Sequence, residues 1–331
     1  MDIIVSHTAA FWYWRHFSGK LADLKRAKRL SAVTSSAALS DAAEEELLAL
    51  GFRPTHEHPI DLLYADQRAR NRVDRVRAHV SGAAYPAGSF LRLSPHVLIA
   101  SPELTFAQMA EKLPFERLLL LGFELCGTFA LRGPEATWTA QAPLTSASAI
   151  NAFIKACPKK AIRSAARDAA RFVLDNSASP QESRLAILLT LPTAFGGYGL
   201  PSPKLNHPVI LHDAAYSLYP HTPLRLDLAW PEKRFAVEYL GKEPHDGRQE
   251  EDIARVAALA AEGIQSLALT RRQLYDVDAF DAVARSIAGQ LGFRLRIRRQ
   301  DFEMRRARLR QALLTADDTG WSPSRGMIEA D

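Results

Sequence analysis

From Leu224 to Trp230 apolar and polar residues alternate, and from Phe235 to Leu240 a second short run is rich in β-formers. The two-residue period predicts a pair of strands, with Pro231-Glu232-Lys233-Arg234 as the turn between them. If Trp230 lies across from Phe235, Leu228 meets Val237 and Leu226 meets Tyr239, giving one apolar face. The same register sets Asp227 opposite Glu238 and Arg225 opposite Leu240. Like charges in direct opposition are unfavourable. At roughly 5 Å and an effective dielectric near 20, the repulsion is about 3 kcal/mol. A divalent cation reconciles the two acids, because hard cations such as Mg²⁺ are held by one or two carboxylates together with water and phosphate oxygens. A solvent-facing pair relieved by Arg225 and Lys242 is the alternative that the hairpin leaves open.

The same patterning divides the rest of the chain. Residues 1 to about 131 predict a mixed α/β unit: a strand in "DIIVSH", a helix starting in "TAAFWYWRHF", and a helix "DAAEEELLALGF" closed by Gly51. His7, at the end of the first strand, has a structural role in this reading. "RVRAHVSG" and "SFLRLSPHVLIAS" alternate as strands, and Ser101-Pro102 starts the helix "ELTFAQMAEKL". Residues 132–150, rich in Pro, Thr, Ser and Ala, predict a connector. The boundary is therefore drawn between a domain at 1–150 and one at 151–331. The second begins with a basic helical stretch whose Lys155, Lys159, Lys160, Arg163 and Arg167 form a solvated face or a phosphate contact. "SPQESRLAILLTL" opens with a capping box, Ser179 to Glu182, with Pro180 at the first helical position. "AFGGYGLPSPKLNHPV" predicts a Gly- and Pro-rich loop, followed by the hairpin, a helix closed by Gly263, the strand "IQSLALT" and a last helical run. A strand, a helix and a strand in succession imply a right-handed parallel crossover, so the C-terminal order is α-β-β-α-β and the fold class α/β (α+β overall).

Composition narrows the classes. The chain has 331 residues, is 47% apolar and carries a net charge of +5. Those values suit a globular two-domain protein and allow a polyanionic partner. Cys126 and Cys157 are the two cysteines, neither in a zinc pattern nor in a disulfide framework, as expected of a cytoplasmic protein. The N-terminal stretch is too short and too interrupted by His and Arg for a signal peptide. The apolar run at 117–132 contains Glu124 and is shorter than a membrane span, so no membrane association is expected.

The residues Pro180 and Glu182 in "SPQES", Asp227 in "LDLAWP", Glu238 and Gly241 in "VEYLG", His245 in "KEPH", Asp252 and Arg255 in "DIAR", and Thr270 and Gln273 in "LTRRQL" stand in an order that resembles the PD-(D/E)XK nuclease superfamily. More narrowly, residues 179 to about 292 resemble the domains related to very-short-patch-repair endonucleases. The N-terminal half, with "VSHTAAFWYWR" and "SPELTFAQMAE", is similar to abortive-infection antitoxin-like proteins, which implies a protein partner there. The resemblance implies a restriction-endonuclease-like core that hydrolyses nucleic acid, DNA rather than RNA, with Mg²⁺ or Mn²⁺, in defence, toxin–antitoxin function or repair. It gives Asp227 and Glu238 as metal ligands, with Glu182 completing the catalytic set and His245 as proton donor or phosphate contact. The third motif residue, a Lys or an Asp in such proteins, is Leu240 here, and Arg225 or Lys242 would have to supply the missing charge. A nuclease-derived module that binds without cutting is the alternative reading.

Arg255 is expected to pair with Asp252 within its own helix, and Gln273 to contact phosphate or hold its loop. The tail "FRLRIRRQDFEMRRARLRQALL" carries Arg294, Arg296, Arg298, Arg299, Arg305 and Arg306 among its arginines, with Asp301 and Glu303 as the opposing acids. Arginine forks match phosphate oxygens, so this stretch is expected to grip the backbone of double-stranded DNA. The alternative is that "RLRIRR" forms an edge strand whose charges deter aggregation. Aromatic residues are not interleaved among these arginines, so no stacking platform is expected.

Overall fold

A computed structural model describes residues 2–26, 40–65, 74–82, 84–132, 137–157, 160–240 and 249–315. It is an α/β protein of two compact units. The first comprises the chain up to Val173 except Gly127–Phe129, and the second comprises those three residues and Leu174–Ala316. The boundary thus falls after residue 173 rather than after residue 150. The helical stretch expected to open the second domain packs instead with the helices of the first.

In the first unit β1 (Ile3–Val5), α1 (His7–His16), β2 (Lys25–Arg26), α2 (Asp41–Ala49), β3 (Ile60–Tyr64), β4 (Val76–Val80), β5 (Phe90–Arg92) and β6 (Val97–Ala100) are followed by α3 (Pro102–Met109) and α4 (Phe115–Cys126). The strands form one mixed sheet in the order β2-β5-β6-β1-β3-β4. Ser101 caps α3 as its sequence predicts, accepting from the Leu104 N–H at 3.2 Å, with Pro102 inside the first turn. The expected connector instead holds a strand pair, β7 (Phe129–Arg132) with β8 (Thr137–Ala140), and then α5 (Ala147–Ala156) and α6 (Lys160–Ala170). Of the basic residues expected there, Lys159 and the side chains of Lys160 and Arg163 lie outside the described residues.

A buried ion cluster ties this unit together. Asp61, on β3, is fully buried; its Oδ1 accepts from His79 Nε2 at 2.6 Å and from Lys112 Nζ at 3.0 Å. Burial pushes the Asp61 carboxyl up, but the His79 hydrogen bond and the Lys112 charge together hold it below its usual range. His7 opens α1 at φ 48°, donates its backbone N–H to Gln108 Oε1 at 3.0 Å, and stacks its ring on that of His79 at 3.7 Å.

The second unit runs α7 (Pro180–Thr190), β9 (Lys204–Val209), α8 (Asp213–Leu218), β10 (Leu224–Trp230), β11 (Phe235–Leu240), α9 (Gln249–Ala261), β12 (Gln265–Thr270), α10 (Arg271–Tyr275), α11 (Val277–Gln290) and α12 (Phe302–Arg310). Its sheet order is β12-β11-β10-β9. The hairpin register is the one its hydrophobic pattern demands: Trp230 pairs with Phe235 and Leu228 with Val237. A single 3₁₀ turn at Pro231–Lys233 joins the strands, with Arg234 left-handed at φ 48°. β11 and β12 pair in parallel around α9.

Two features depart from the expected pattern. β9 occupies part of the stretch that reads as a loop, and Pro208 sits in it opposite Arg225. β9 lies at the sheet edge, where a strand tolerates the N–H that proline lacks. The hairpin is also buried on more than one face. Ala229 and Ala236 are as buried as Leu228 and Val237, because Ala258 and Leu259 of α9 pack into the same cluster as the two alanines. The second face is therefore no solvent-exposed polar surface, and its acids are drawn partly out of water. No helix among the described residues is long and apolar enough to cross a membrane.

Candidate functional site

Three acidic residues of the second unit come together from three elements. Asp227 lies midway along β10, Glu238 midway along β11, and Glu182 in the first turn of α7. Glu182 is positioned by its helix start: Ser179 Oγ accepts from the Glu182 N–H at 3.2 Å. The expected capping box is only half formed, since the Glu182 carboxylate takes the N–H of Ala178, at 2.8 Å, rather than that of Ser179. Glu182 is buried, at 7% exposure.

Asp227 serves the sheet as well as the site. Its Oδ2 accepts the backbone N–H of Tyr239 at 2.7 Å, so a side chain takes the place of a strand-to-strand partner where the hairpin leaves its Leu228–Val237 register. The carboxylate is thereby held at the level of Glu238.

The electrostatics of the three acids are linked. Burial pushes the Glu182 carboxyl up to about 8, with further upward pressure from the charge of Asp227 and a smaller contribution from Glu238. Burial and then the Asp227 charge push Glu238 up to about 7. Asp227 is also raised, by burial, against the Tyr239 hydrogen bond and the Arg255 charge that lower it. Groups raised by desolvation and by each other are deficient in positive charge. Glu238 Oε1 is buried with no hydrogen-bond partner, an acceptor without a donor.

One cation already reaches the cluster. Arg255, on α9, donates through Nη2 to Glu238 Oε2 and to the carbonyl oxygen of Arg225. The expected intrahelical pairing with Asp252 is replaced by this contact, because α9 packs against the sheet with Arg255 facing Glu238. Sequence reasoning missed the role; the signal lay in the position of Arg255, one helical turn ahead of the core residues Ala258 and Leu259.

The remaining candidates divide. Lys242 and His245, with Gly241, lie outside the described residues. Arg225 is exposed and donates to Asn206 O at 3.2 Å, away from the acids. Gln273 is a cap: its Oε1 accepts the Thr270 N–H at 2.9 Å, completing a capping box at the start of α10. In the tail, Arg299 and Arg305 pair with Asp301 at 2.9 and 2.6 Å, and Arg306 pairs with Asp281. Arg306 is thus offset by Asp281, whereas Arg299 and Arg305 share the single charge of Asp301. Arg294, Arg296 and Arg298 are exposed and lie on an irregular segment rather than an edge strand.

Among the described residues no group of three or more His, Cys, Asp or Glu side chains stands in metal-holding geometry. A Mg²⁺ or Mn²⁺ site needs fewer protein ligands, because such ions keep several waters and take phosphate oxygens. Asp227 and Glu238, with the unpartnered Glu238 Oε1, offer the oxygen donors that such an ion takes. No family model, no curated protein and no solved structure matches the chain.

Proposed function

We propose that the second unit is a nuclease of the PD-(D/E)XK type that hydrolyses phosphodiester bonds of nucleic acid with Mg²⁺ or Mn²⁺, and that duplex DNA is its first substrate. The observation that carries the reading is the raised, mutually repelling set Glu182, Asp227 and Glu238, with one Glu238 oxygen buried and unpartnered. Asp227 and Glu238 would hold the ion. When bound, the ion supplies charge neutralisation at the scissile phosphate and an activated water. Glu182, raised to about 8, holds a proton near neutral pH and passes it to or from a water at the cluster. Tyr239 fixes the Asp227 carboxylate through its backbone N–H. Arg255 supplies, from α9, the positive charge that Leu240 does not, and His245 remains the proposed proton donor to the leaving oxygen.

The test is cleavage of plasmid DNA and of RNA by the full chain with Mg²⁺ or Mn²⁺, beside Asp227→Ala and Glu238→Ala variants. Cutting that both variants abolish supports the reading. Cutting that survives both overturns it.

A second reading rests on the Arg255–Glu238 contact and on Leu240. In it the guanidinium has replaced the ion, and the unit binds nucleic acid without cutting as a regulatory or antitoxin-like partner. It requires a gel shift with steep salt dependence that Asp227→Ala leaves unchanged, and no cleavage with either metal. A cytoplasmic location belongs to both readings.

A further inference from the structure

At the far end of α7 from Glu182 the second unit has a groove of about 530 Å³, lined among others by Thr193, Tyr198, Gly199, Phe293, Arg294 and Arg296. Thr190, which also lines the groove, lies eight helical steps on from Glu182, so the two places are about 12 Å apart along the helix axis.

One wall is rigid by construction. Gly196 sits at φ +94°, and a Cβ there would meet the carbonyl oxygen of Arg305 at 2.4 Å. A Cβ on Gly197 would meet the carbonyl oxygen of Leu191 at 2.1 Å. Arg305 donates to Ala194 O at 2.9 Å, and Asp281 accepts from both Tyr198 and Arg306. The ion-paired arginines Arg305 and Arg306 thus pin the loop at 193–199 against α12.

The opposite wall has different chemistry. Phe293 is 37% exposed, a large apolar ring left in water. Arg294 and Arg296 beside it are exposed and make no ion pair or hydrogen bond among the described residues. A groove with a free aromatic face and two unneutralised guanidinium groups is complementary to a planar ring joined to phosphate. Stacking on an aromatic side chain and pairing with Arg are how unpaired nucleotides are held.

We infer that this groove binds a nucleotide unit of a single strand, its base on Phe293 and its phosphates on Arg294 and Arg296. The inference extends the nucleic-acid reading above to an unpaired segment, and it rests on that reading's choice of ligand but not on cleavage. The aromatic partner is Phe293, which directly precedes the arginines in the chain and lines the groove with them.

The experiment is fluorescence anisotropy of the full chain with labelled oligothymidylate, in chelator so that no metal-dependent cutting occurs. An abasic oligomer of the same length and thymidine monophosphate as competitor complete the set. The expected results are binding about tenfold weaker for the abasic oligomer and for Phe293→Ala, with Phe293→Trp restoring it. Arg294→Gln and Arg296→Gln should each lower the slope of log affinity against log salt by about 0.7. Competition by the mononucleotide at concentrations similar to the oligomer identifies a free nucleotide as the source of the same chemistry. Equal affinity for the abasic and normal oligomers overturns the inference, as does oligothymidylate binding unchanged in a Phe293→Ala protein of native melting behaviour. If the chain cuts plasmid with Mg²⁺ while the groove variants bind normally, the groove fails and the nuclease stands. If those variants lose binding and the chain cuts with neither metal, the groove stands and the nuclease fails.

Discussion

Arg255 of α9 lays its guanidinium on the carboxylate of Glu238 of β11, linking two elements separated in sequence by residues 241–248. That contact gives the acidic cluster a counter-charge and leaves the other Glu238 oxygen, Oε1, unpartnered. Removing the guanidinium strands a partly buried acid beside Asp227. Arg255→Gln should therefore lower metal-free stability by about 2 kcal/mol, less than a fully buried pair would because both side chains keep some solvent contact. Mg²⁺ should recover much of that loss in the variant. Denaturant unfolding with and without Mg²⁺ checks both; a variant as stable as the parent in chelator shows that Arg255 is dispensable to the cluster.

The raised carboxyls set a pH dependence of definite sign. Glu182 at about 8 and Glu238 at about 7 bind protons in the folded state that they release in the unfolded state above their ordinary 4.5. Folding is thus favoured by these groups at low pH, and the protein loses stability as pH rises from about 4.5 to 8. A divalent cation takes over from the protons. The rise in melting temperature on adding Mg²⁺ should be larger at pH 8 than at pH 6, as read by calorimetry. An equal rise at both would show that the ion does not bind these acids.

Removing one charge should relieve the others. Asp227→Asn keeps an oxygen for the Tyr239 N–H while deleting the charge that raises Glu182 and Glu238. The metal-free variant should be more stable than the parent at pH 8 by about 1 kcal/mol, since each unit of pKa is worth about 1.4 kcal/mol, and it should not cut. Titration of the two glutamates by carbon-13 NMR should show both midpoints moving down.

Asp61 has the opposite sign. Its carboxyl is held below its usual range, so it stabilises the first unit above its unfolded pKa, and that contribution is lost as pH falls through the folded value. Asp61→Asn leaves Lys112 and His79 facing a neutral group and should cost about 3 kcal/mol at pH 7. The difference from the parent should shrink on acidification, which urea unfolding at several pH values measures.

Gly196 is a backbone requirement rather than a packing choice. At φ +94° with Arg305 O in the place of a Cβ, Gly196→Ala should destabilise the second unit by about 2 kcal/mol or more. Thermal unfolding gives the number, and Gly289→Ala, where a Cβ meets nothing within 4 Å, is the control.

Short-range chemistry was legible in the amino acids themselves. The hairpin register from Trp230–Phe235 to Leu228–Val237 follows from a two-residue period, the starts of α3 and α7 from Ser-Pro caps, and the parallel β11–β12 pair from the helix between two strands. Beyond Leu228–Val237 the period no longer decided the pairing, and there the Asp227 carboxylate takes the Tyr239 N–H. Whatever depended on distant packing was decided by the tertiary structure. Pro208 could join β9 because no strand lies beyond it among the described residues, and that is a property of the finished sheet. The depth of Glu182, the reach of Arg255 to Glu238 rather than Asp252, and the division of the tail arginines between Asp281, Asp301 and an open groove all depend on which elements meet. Periodicity and capping act over a few residues and are written in their order, whereas burial and ion pairing are energies of approach between segments far apart in the chain.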